Sequence, residues 1–370
     1  MVEPSQCDQG FPEAPLDAVL ADAPGGRAVW IRTADGLRLR VGQWDATATG
    51  ADNFPAHRTT GAAQTTAPKA RADDCPTIAP RRDEAGVGGP LGPDPGCARS
   101  RGTVLLFPGR TEYIEKYGPT AADLAARGYG VVVIDWRGQG LSDRLLPDPA
   151  PGHVDAFADY QSDVAALVGF ARARSLPQPW FLLAHSMGGA IGLRALIGGL
   201  PVRAVAFSAP MWGIELGRTP QPLVRALAAA AQAVGLGTRI APGSSRETLV
   251  LTGGFGPNLL TSCPARYDWL RAQATARPDL VLGGPSLRWV SEALAECRAL
   301  DGLPSPIVPA LTGLGADEGI VSSDAIRARM ARWPGGRLTE YPAARHELLM
   351  ERDSIRDRFI AEIDDLFRAA

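Results

Sequence analysis

The run Ala184-His185-Ser186-Met187-Gly188-Gly189 sets one serine among small residues, directly after the apolar segment PWFLLAHS (179–186) and ahead of an apolar stretch of helical pattern. This is the G-x-S-x-G elbow with alanine in the first position. Small residues are required there because the backbone bends tightly and helix and strand approach closely, and the bend holds the hydroxyl at the carboxyl edge of a sheet. A serine hydroxyl is a poor nucleophile at neutral pH, so Ser186 needs a base beside it. Four histidines are available. His57 falls in a polar, low-complexity stretch, and His185 immediately precedes the serine, so its side chain is expected to point away along the turn. His153 sits in a loop where lining a rim or satisfying backbone groups accounts for it. His346, in PAARHELLMERD after the last strand pattern, stands where the chain order serine, acid, histidine places the base.

The acid that orients the base should follow an earlier strand. Asp317 comes after PIVPALTGL (306–314) and the small pair Gly315-Ala316, and is preferred over its neighbour Glu318, whose default explanation is a solvated loop charge. The oxyanion of a tetrahedral intermediate needs two backbone donors. The amide of Met187, after the nucleophile, and that of Arg110, after Gly109 in FPGRTEYIEKY, are assigned to it, with no part required of their side chains.

These residues must be held by a sheet. TVLLF (103–107), GVVVIDW (130–136), PWFLLAHS and VRAVAFSAP (202–210) are nearly all-apolar runs separated by helix-length segments, 119–128 and 155–175 among them. That alternation predicts a parallel sheet covered by helices on both faces. Residues 27–44 read as a hairpin turning at Asp35-Gly36, and after 211 the alternation gives way to helical pattern, including an Ala- and Leu-rich helix around 221–236. The sheet resumes with 306–314, a helix 322–332, GRLTEYP (336–342) and a closing amphipathic helix 351–368. The expected organisation is an N-terminal extension (1–26), a core in two parts (27–45 with 102–210, then 301–370), a helical cap (211–300) and an insertion (46–101). The insertion is too poor in large apolar residues to offset its ordering entropy, which predicts disorder.

A formal net charge of -2 and the lack of any Lys/Arg run exclude nucleic acid as the main partner. Five scattered cysteines lack the close pairs of zinc or redox motifs, and read as reduced thiols. Neither a metal nor a cofactor is expected, and no obligate protein partner is evident. The first residues lack a secretory pattern and no segment is long and apolar enough to span a bilayer, so the expected location is cytoplasmic, with contact at a membrane surface through the cap left open.

With these residues in place the chain resembles the bacterial lysophospholipase and monoacylglycerol lipase family of α/β-hydrolases. The resemblance runs through FPGRTEYIEKYG (107–118), VVVIDWRGQGLSDR (131–144), GHVDAFADYQSDV (152–164), LLAHSMGG (182–189), GADEGIV (315–321) and ARHELLMERDSIRDRF (344–359). It implies an α/β-hydrolase fold and a cofactor-free carboxylic ester hydrolase acting on single-acyl lipids, with the cap shaping the acyl pocket. Two features depart from the pattern: the 46–101 insertion, and Pro108, where many relatives carry histidine before the oxyanion glycine. The same triad would serve a general short-chain esterase or thioesterase, and an inactive hydrolase scaffold used for binding is the alternative from another class.

Overall fold

The computed structural model describes residues 10–47, 100–217 and 230–370. The body of the 46–101 insertion and the first part of the 221–236 helix lie outside them. In chain order the strands are β1 (Glu13–Ala14), β2 (Arg27–Arg32), β3 (Arg38–Trp44), β4 (Gly102–Phe107), β5 (Tyr129–Ile134), β6 (Trp180–His185), β7 (Val205–Ser208), β8 (Ala310–Gly315) and β9 (Gly336–Tyr341). Among the described residues they form one sheet in the order β1-β2-β3-β5-β4-β6-β7-β8-β9, antiparallel from β1 to the β3–β5 pair and parallel from there on. The α/β sheet is mostly parallel, as the continuous apolar runs require.

Alternation across the pleat divides the core in two. Leu105, Phe107, Val132, Ile134, Leu182 and Ala184 face one layer of apolar residues, while Val104, Leu106, Val131, Val133, Phe181 and Leu183 face the other. The first layer is closed by α3 (Tyr160–Ala173) and α4 (Met187–Ile197), and the second by α2 (Gly118–Ala126) and α9 (Asp353–Ala369). Along α9 the buried Arg356, Phe359, Ile360, Ile363 and Phe367 recur at helical spacing, so one stripe packs on the sheet.

Between β7 and β8 lie α5 (Leu249–Thr252), α6 (Pro264–Ala276) and α7 (Leu287–Asp301), and α8 (Ser323–Ala331) follows β8. Ser286 caps α7 by accepting a hydrogen bond from the Trp289 amide, and its Oγ also meets Nδ1 of the buried His153 at 2.8 Å. His153 thus ties the loop after β5 to α7. Strand β8 begins at Ala310 rather than at Pro306, because Pro306 and Pro309 have no amide to give a ladder, and it runs through Gly315. Cys263, expected as a reduced thiol, is disulfide-bonded with its partner outside the described residues, whereas Cys297 is free and buried. Sequence spacing carries no signal for a bridge made through space. Among the described residues no helix is long and apolar enough to cross a membrane.

Candidate active site

Ser186 stands between the end of β6 and the start of α4, with φ 51° and ψ -118°. A residue with a Cβ is strained in that region, and such strain persists only where the surroundings over-determine it. The surroundings here are tight: a Cβ on Gly188 would lie 2.1 Å from the Phe107 carbonyl oxygen, and one on Gly189 would lie 2.5 Å from Cβ of Pro210. The Ser186 amide donates to the Ser208 carbonyl, and its own carbonyl accepts from Gly189 and Met211. The elbow is therefore clamped from β4, β7 and α4 at once.

His346 follows β9, and its amide donates to the carbonyl of Leu259. Its Nδ1 lies 2.8 Å from Oε2 of Glu318. The expected acid, Asp317, is not the carboxylate at this histidine: its amide donates to the Ala344 carbonyl and the residue is exposed. The cause is register. Because β8 extends through Gly315, the residue that turns inward comes one position later, and the longer glutamate arm reaches the imidazole. Oε1 of Glu318 is held by the amides of Ile320 and Val321, at 2.7 and 3.1 Å. Burial alone would raise the Glu318 carboxyl, but the charge and hydrogen bond of His346 and these two amides outweigh it and hold the group below its usual range. With Nδ1 occupied by Glu318, Nε2 is the nitrogen left for the serine.

Ser186, His346, Gly109 and Arg110 line a common cavity of about 450 Å³, within the size range of small-molecule sites. No hydrogen bond joins Ser186 to His346 among the described residues, a usual state where catalytic bonds tighten only around substrate. The oxyanion loop lies against the elbow, for a Cβ on Gly109 would fall 3.1 Å from Cβ of Ser186. Within this loop the Gly109 amide donates to Oε2 of Glu112, and the Thr111 amide donates to Oε1 of Gln139. The amide between them, that of Arg110, has no acceptor among the described residues. Met187 opens α4, where first-turn amides have no partner within the helix. These are the two amides that the sequence assigns to an oxyanion.

Sequence reasoning missed the buried group behind this loop. Lys116 Nζ bridges Oε1 of Glu112 at 2.5 Å and Oε1 of Glu347 at 2.8 Å, and the Tyr117 hydroxyl also donates to Glu112. Burial would raise the Glu112 carboxyl, yet Lys116 first and His185 second hold it well below the usual range. The i,i+4 spacing of Glu112 and Lys116 was the available signal. His185 does not simply point away: its ring centroid is 4.8 Å from that of His346, Nδ1 lies 3.0 Å from the Ser208 carbonyl oxygen, and Nε2 is 3.6 Å from Glu112. Burial lowers its pKa to about 3, which keeps it neutral behind the base. Glu112, His185 and Glu347 bring ligand-type atoms within 4.8 Å of one another, but the Lys116 ammonium already supplies the cation there.

A second buried cluster holds the loop from below. Arg40, wholly buried, reaches Glu115 and Asp135, each at 2.7 Å, and Asp135 accepts the amide of Ile114. Breaking such a pair by removing one partner costs about 3–5 kcal/mol.

Comparisons with known proteins place the whole chain. Residues 98–353 match the Hydrolase_4 family, described as serine aminopeptidase, S33. The chain is 36% identical to lysophospholipase L2 of Escherichia coli (strain K12), over 71% of this chain and 79% of that protein. It is 30% identical to the probable lysophospholipase L2 of Haemophilus influenzae, over 71% and 83%. In fold it is similar to a soluble variant of monoglyceride lipase from Saccharomyces cerevisiae (TM-score 0.62, 17% identity, 100% of this chain and 99% of that one). It is likewise similar to the monoacylglycerol lipase of Paleococcus ferrophilus (TM-score 0.57, 22% identity, 74% and 96%). A serine elbow answered across the sheet by a glutamate-held histidine, in a chain that matches that family over most of its length, leads to one conclusion: this protein belongs to the Hydrolase_4 family of α/β-hydrolases.

Proposed function

We propose that this chain is a serine hydrolase that cleaves the carboxylic ester of single-acyl lipids, lysophospholipids or monoacylglycerols, through an acyl-enzyme. The observation that carries the proposal is the hydrogen bond from His346 to the buried Glu318, on the wall of the cavity that also exposes Ser186. Nε2 of His346 takes the proton as Ser186 Oγ attacks the ester carbonyl, and Glu318 fixes the imidazole tautomer and stabilises the imidazolium. The amides of Arg110 and Met187 stabilise the oxyanion. His346 then protonates the leaving alcohol, and a water activated by the same nitrogen releases the fatty acid.

The lipid preference draws on the lysophospholipase relatives and on the cavity wall, where Leu249, Val250, Leu259, Leu260, Leu270 and Ala274 offer apolar surface. Leu249 and Leu259 are also 73% and 47% exposed, with Val234 (70%) and Leu236 (45%) in the same part of the chain. Apolar side chains that line the cavity and also stay exposed, Leu249 and Leu259, suit contact with a membrane surface. We extend the proposal to peripheral contact with a membrane surface, tested by co-sedimentation of the protein with anionic vesicles.

A fluorophosphonate probe together with a substrate panel tests the activity. Labelling is expected at Ser186, with turnover of lysophospholipid and monoacylglycerol, and Ser186→Ala should remove labelling and lower the rate by about 10⁴-fold or more. A folded wild-type protein that takes no label would be a binding protein on the same scaffold. A labelled protein that turns over only short p-nitrophenyl esters or thioesters would be a general esterase or thioesterase.

A further inference from the structure

The amide of Arg110 has a place in the chemistry above, but its side chain does not. The guanidinium runs along the cavity toward the cap: one Nη donates to the Gly283 carbonyl oxygen at 3.2 Å, Cζ lies 5.3 Å from the centre of the Trp289 ring, and a Cβ on Gly152 would fall 2.7 Å from Nη1. A guanidinium has five N–H donors in a planar fork. Among the described residues this one donates to a single carbonyl and forms no ion pair with a carboxylate. The cavity's other cation, Lys116, is by contrast bracketed by Glu112 and Glu347.

Arg110 is partly buried, and a positive charge withdrawn from water without a counterion tends to pair or to bind a ligand. Partial burial lowers the Arg110 pKa to about 10, so the group still carries its charge at neutral pH. Leu249, Leu260 and Leu270 give the cavity apolar wall, whereas the Arg110 guanidinium meets the Gly283 carbonyl beside Gly284, with Leu282 also near it at Gly152 and with Ser244, Ser245 and the Glu247 carboxylate lining the same cavity. A single-acyl phospholipid has the same polarity: an acyl chain on one side of the ester, a glycerol and a phosphodiester on the other. One residue can therefore hold the oxyanion with its backbone and the headgroup with its side chain.

Building on the lipid-ester activity above, we propose that the Arg110 guanidinium is the headgroup site of this enzyme, binding the substrate's phosphodiester and favouring lysophospholipids over uncharged monoacylglycerols. Arginine matches phosphate with two parallel N–H···O bonds, which a lysine cannot reproduce.

The test is a ratio, because the Arg110 amide also serves the reaction and changes common to all substrates must cancel. The kcat/KM for a lysophosphatidylethanolamine is divided by that for the monoacylglycerol of the same acyl chain, in wild type, Arg110→Met and Arg110→Lys. The ratio is expected to fall at least tenfold in Arg110→Met, mainly through KM for the phospholipid, and by less in Arg110→Lys. An unchanged ratio would overturn the inference and leave the lipid esterase standing. If wild type turns over neither lipid but cleaves p-nitrophenyl butyrate, the esterase activity survives while the lipid assignment fails, and this inference fails with it. A second arm needs no variant: dodecyl phosphate, dodecanoate and dodecanol are compared as inhibitors of wild-type monoacylglycerol hydrolysis below their micelle concentrations. The phosphate should inhibit at least tenfold more tightly than the alcohol. Equal inhibition by phosphate and alcohol would overturn the assignment, and so would equal inhibition by dodecanoate, which would make Arg110 a site for the fatty-acid product.

Discussion

Oε2 of Glu318 sits 2.8 Å from Nδ1 of His346 with its side chain fully buried, while Asp317, one residue earlier, faces solvent. This carboxylate is thus fixed from three sides, by the imidazole and by the amides of Ile320 and Val321.

Glu318→Gln keeps the size of the side chain but loses the charge that favours the correct tautomer and the imidazolium. It should lower kcat by about 10³–10⁴-fold, with the fold intact by circular dichroism. Asp317→Asn, at an exposed position, should stay within about twofold of wild type. The reverse order of damage would return the acid to Asp317.

That one-residue error shows what a sequence can and cannot carry. The elbow around Ser186 was legible because sterics dictate its small residues: the oxygen 2.1 Å from a Cβ on Gly188 leaves no alternative. The parallel strands were legible because both faces are buried, and their apolar runs follow from that. The place of His346 on the cavity wall was legible from chain order. The carboxylate beside it was not, since its identity turns on whether β8 ends at residue 314 or 315, and strand ends carry no signal that sharp. The Lys116 bridge between Glu112 and Glu347 joins residues more than two hundred positions apart in sequence. Its purpose shows only once β4 and β9 lie in one sheet. The role of His185 was hidden similarly, because a position beside the nucleophile does not say which way a ring is turned.

The strained backbone at Ser186 makes a prediction about stability. Glycine tolerates a φ of 51° at no steric cost, while the strain on a residue with a Cβ is about 1–3 kcal/mol. Ser186→Gly should therefore be more stable than Ser186→Ala by about 1 kcal/mol, after allowing about 0.5–1 kcal/mol for the greater unfolded-state entropy of glycine. Both variants are expected to be inactive. Urea melts of the two would decide it, and an alanine variant more stable than the glycine variant by about 0.5–1 kcal/mol, the entropy cost of glycine alone, would mean that the elbow stores no strain.

His185 ties stability to pH. Its folded pKa is about 3 because of burial, against an ordinary 6.5. A depressed folded value means that the unfolded chain takes up a proton first, so its contribution is complete above pH 6.5 and is lost as the pH falls toward 3. Glu112, also depressed, adds a loss in the same direction at lower pH, and Asp163, raised by burial to about 6, acts the opposite way. Comparison with His185→Asn cancels most of what the other groups contribute. Between pH 6 and 4.5 the wild type should lose stability faster than the variant, by about 1 kcal/mol per pH unit near pH 6 and approaching about 1.4 toward pH 4.5. Parallel curves would show that His185 is protonated in the folded protein.

The apolar side of the cavity predicts how rate depends on chain length. The sequence points to the segment 220–237 as an apolar cap helix, but its first part lies outside the described residues. The apolar wall that is described comes from α5, α6 and the Leu259-Leu260 turn beside His346. Each acyl methylene moved from water onto that wall gains about 0.8 kcal/mol. If the gain is realised in the transition state, kcat/KM rises by up to about fourfold per methylene until the wall is covered. A cavity of about 450 Å³ also sets an end to the rise, and a second acyl chain must compete for the same wall or stay in water. For monoacylglycerols of increasing length, measured below their micelle concentrations, kcat/KM should climb and then level off, with a diacyl phospholipid well below the plateau. Leu260→Ala and Leu270→Ala should flatten the climb while leaving the shortest esters least affected, because a shortened wall has less to offer a long chain than a short one. A maximum at the shortest chain, or equal rates on the diacyl lipid, would leave a general esterase in place of a lysolipid hydrolase.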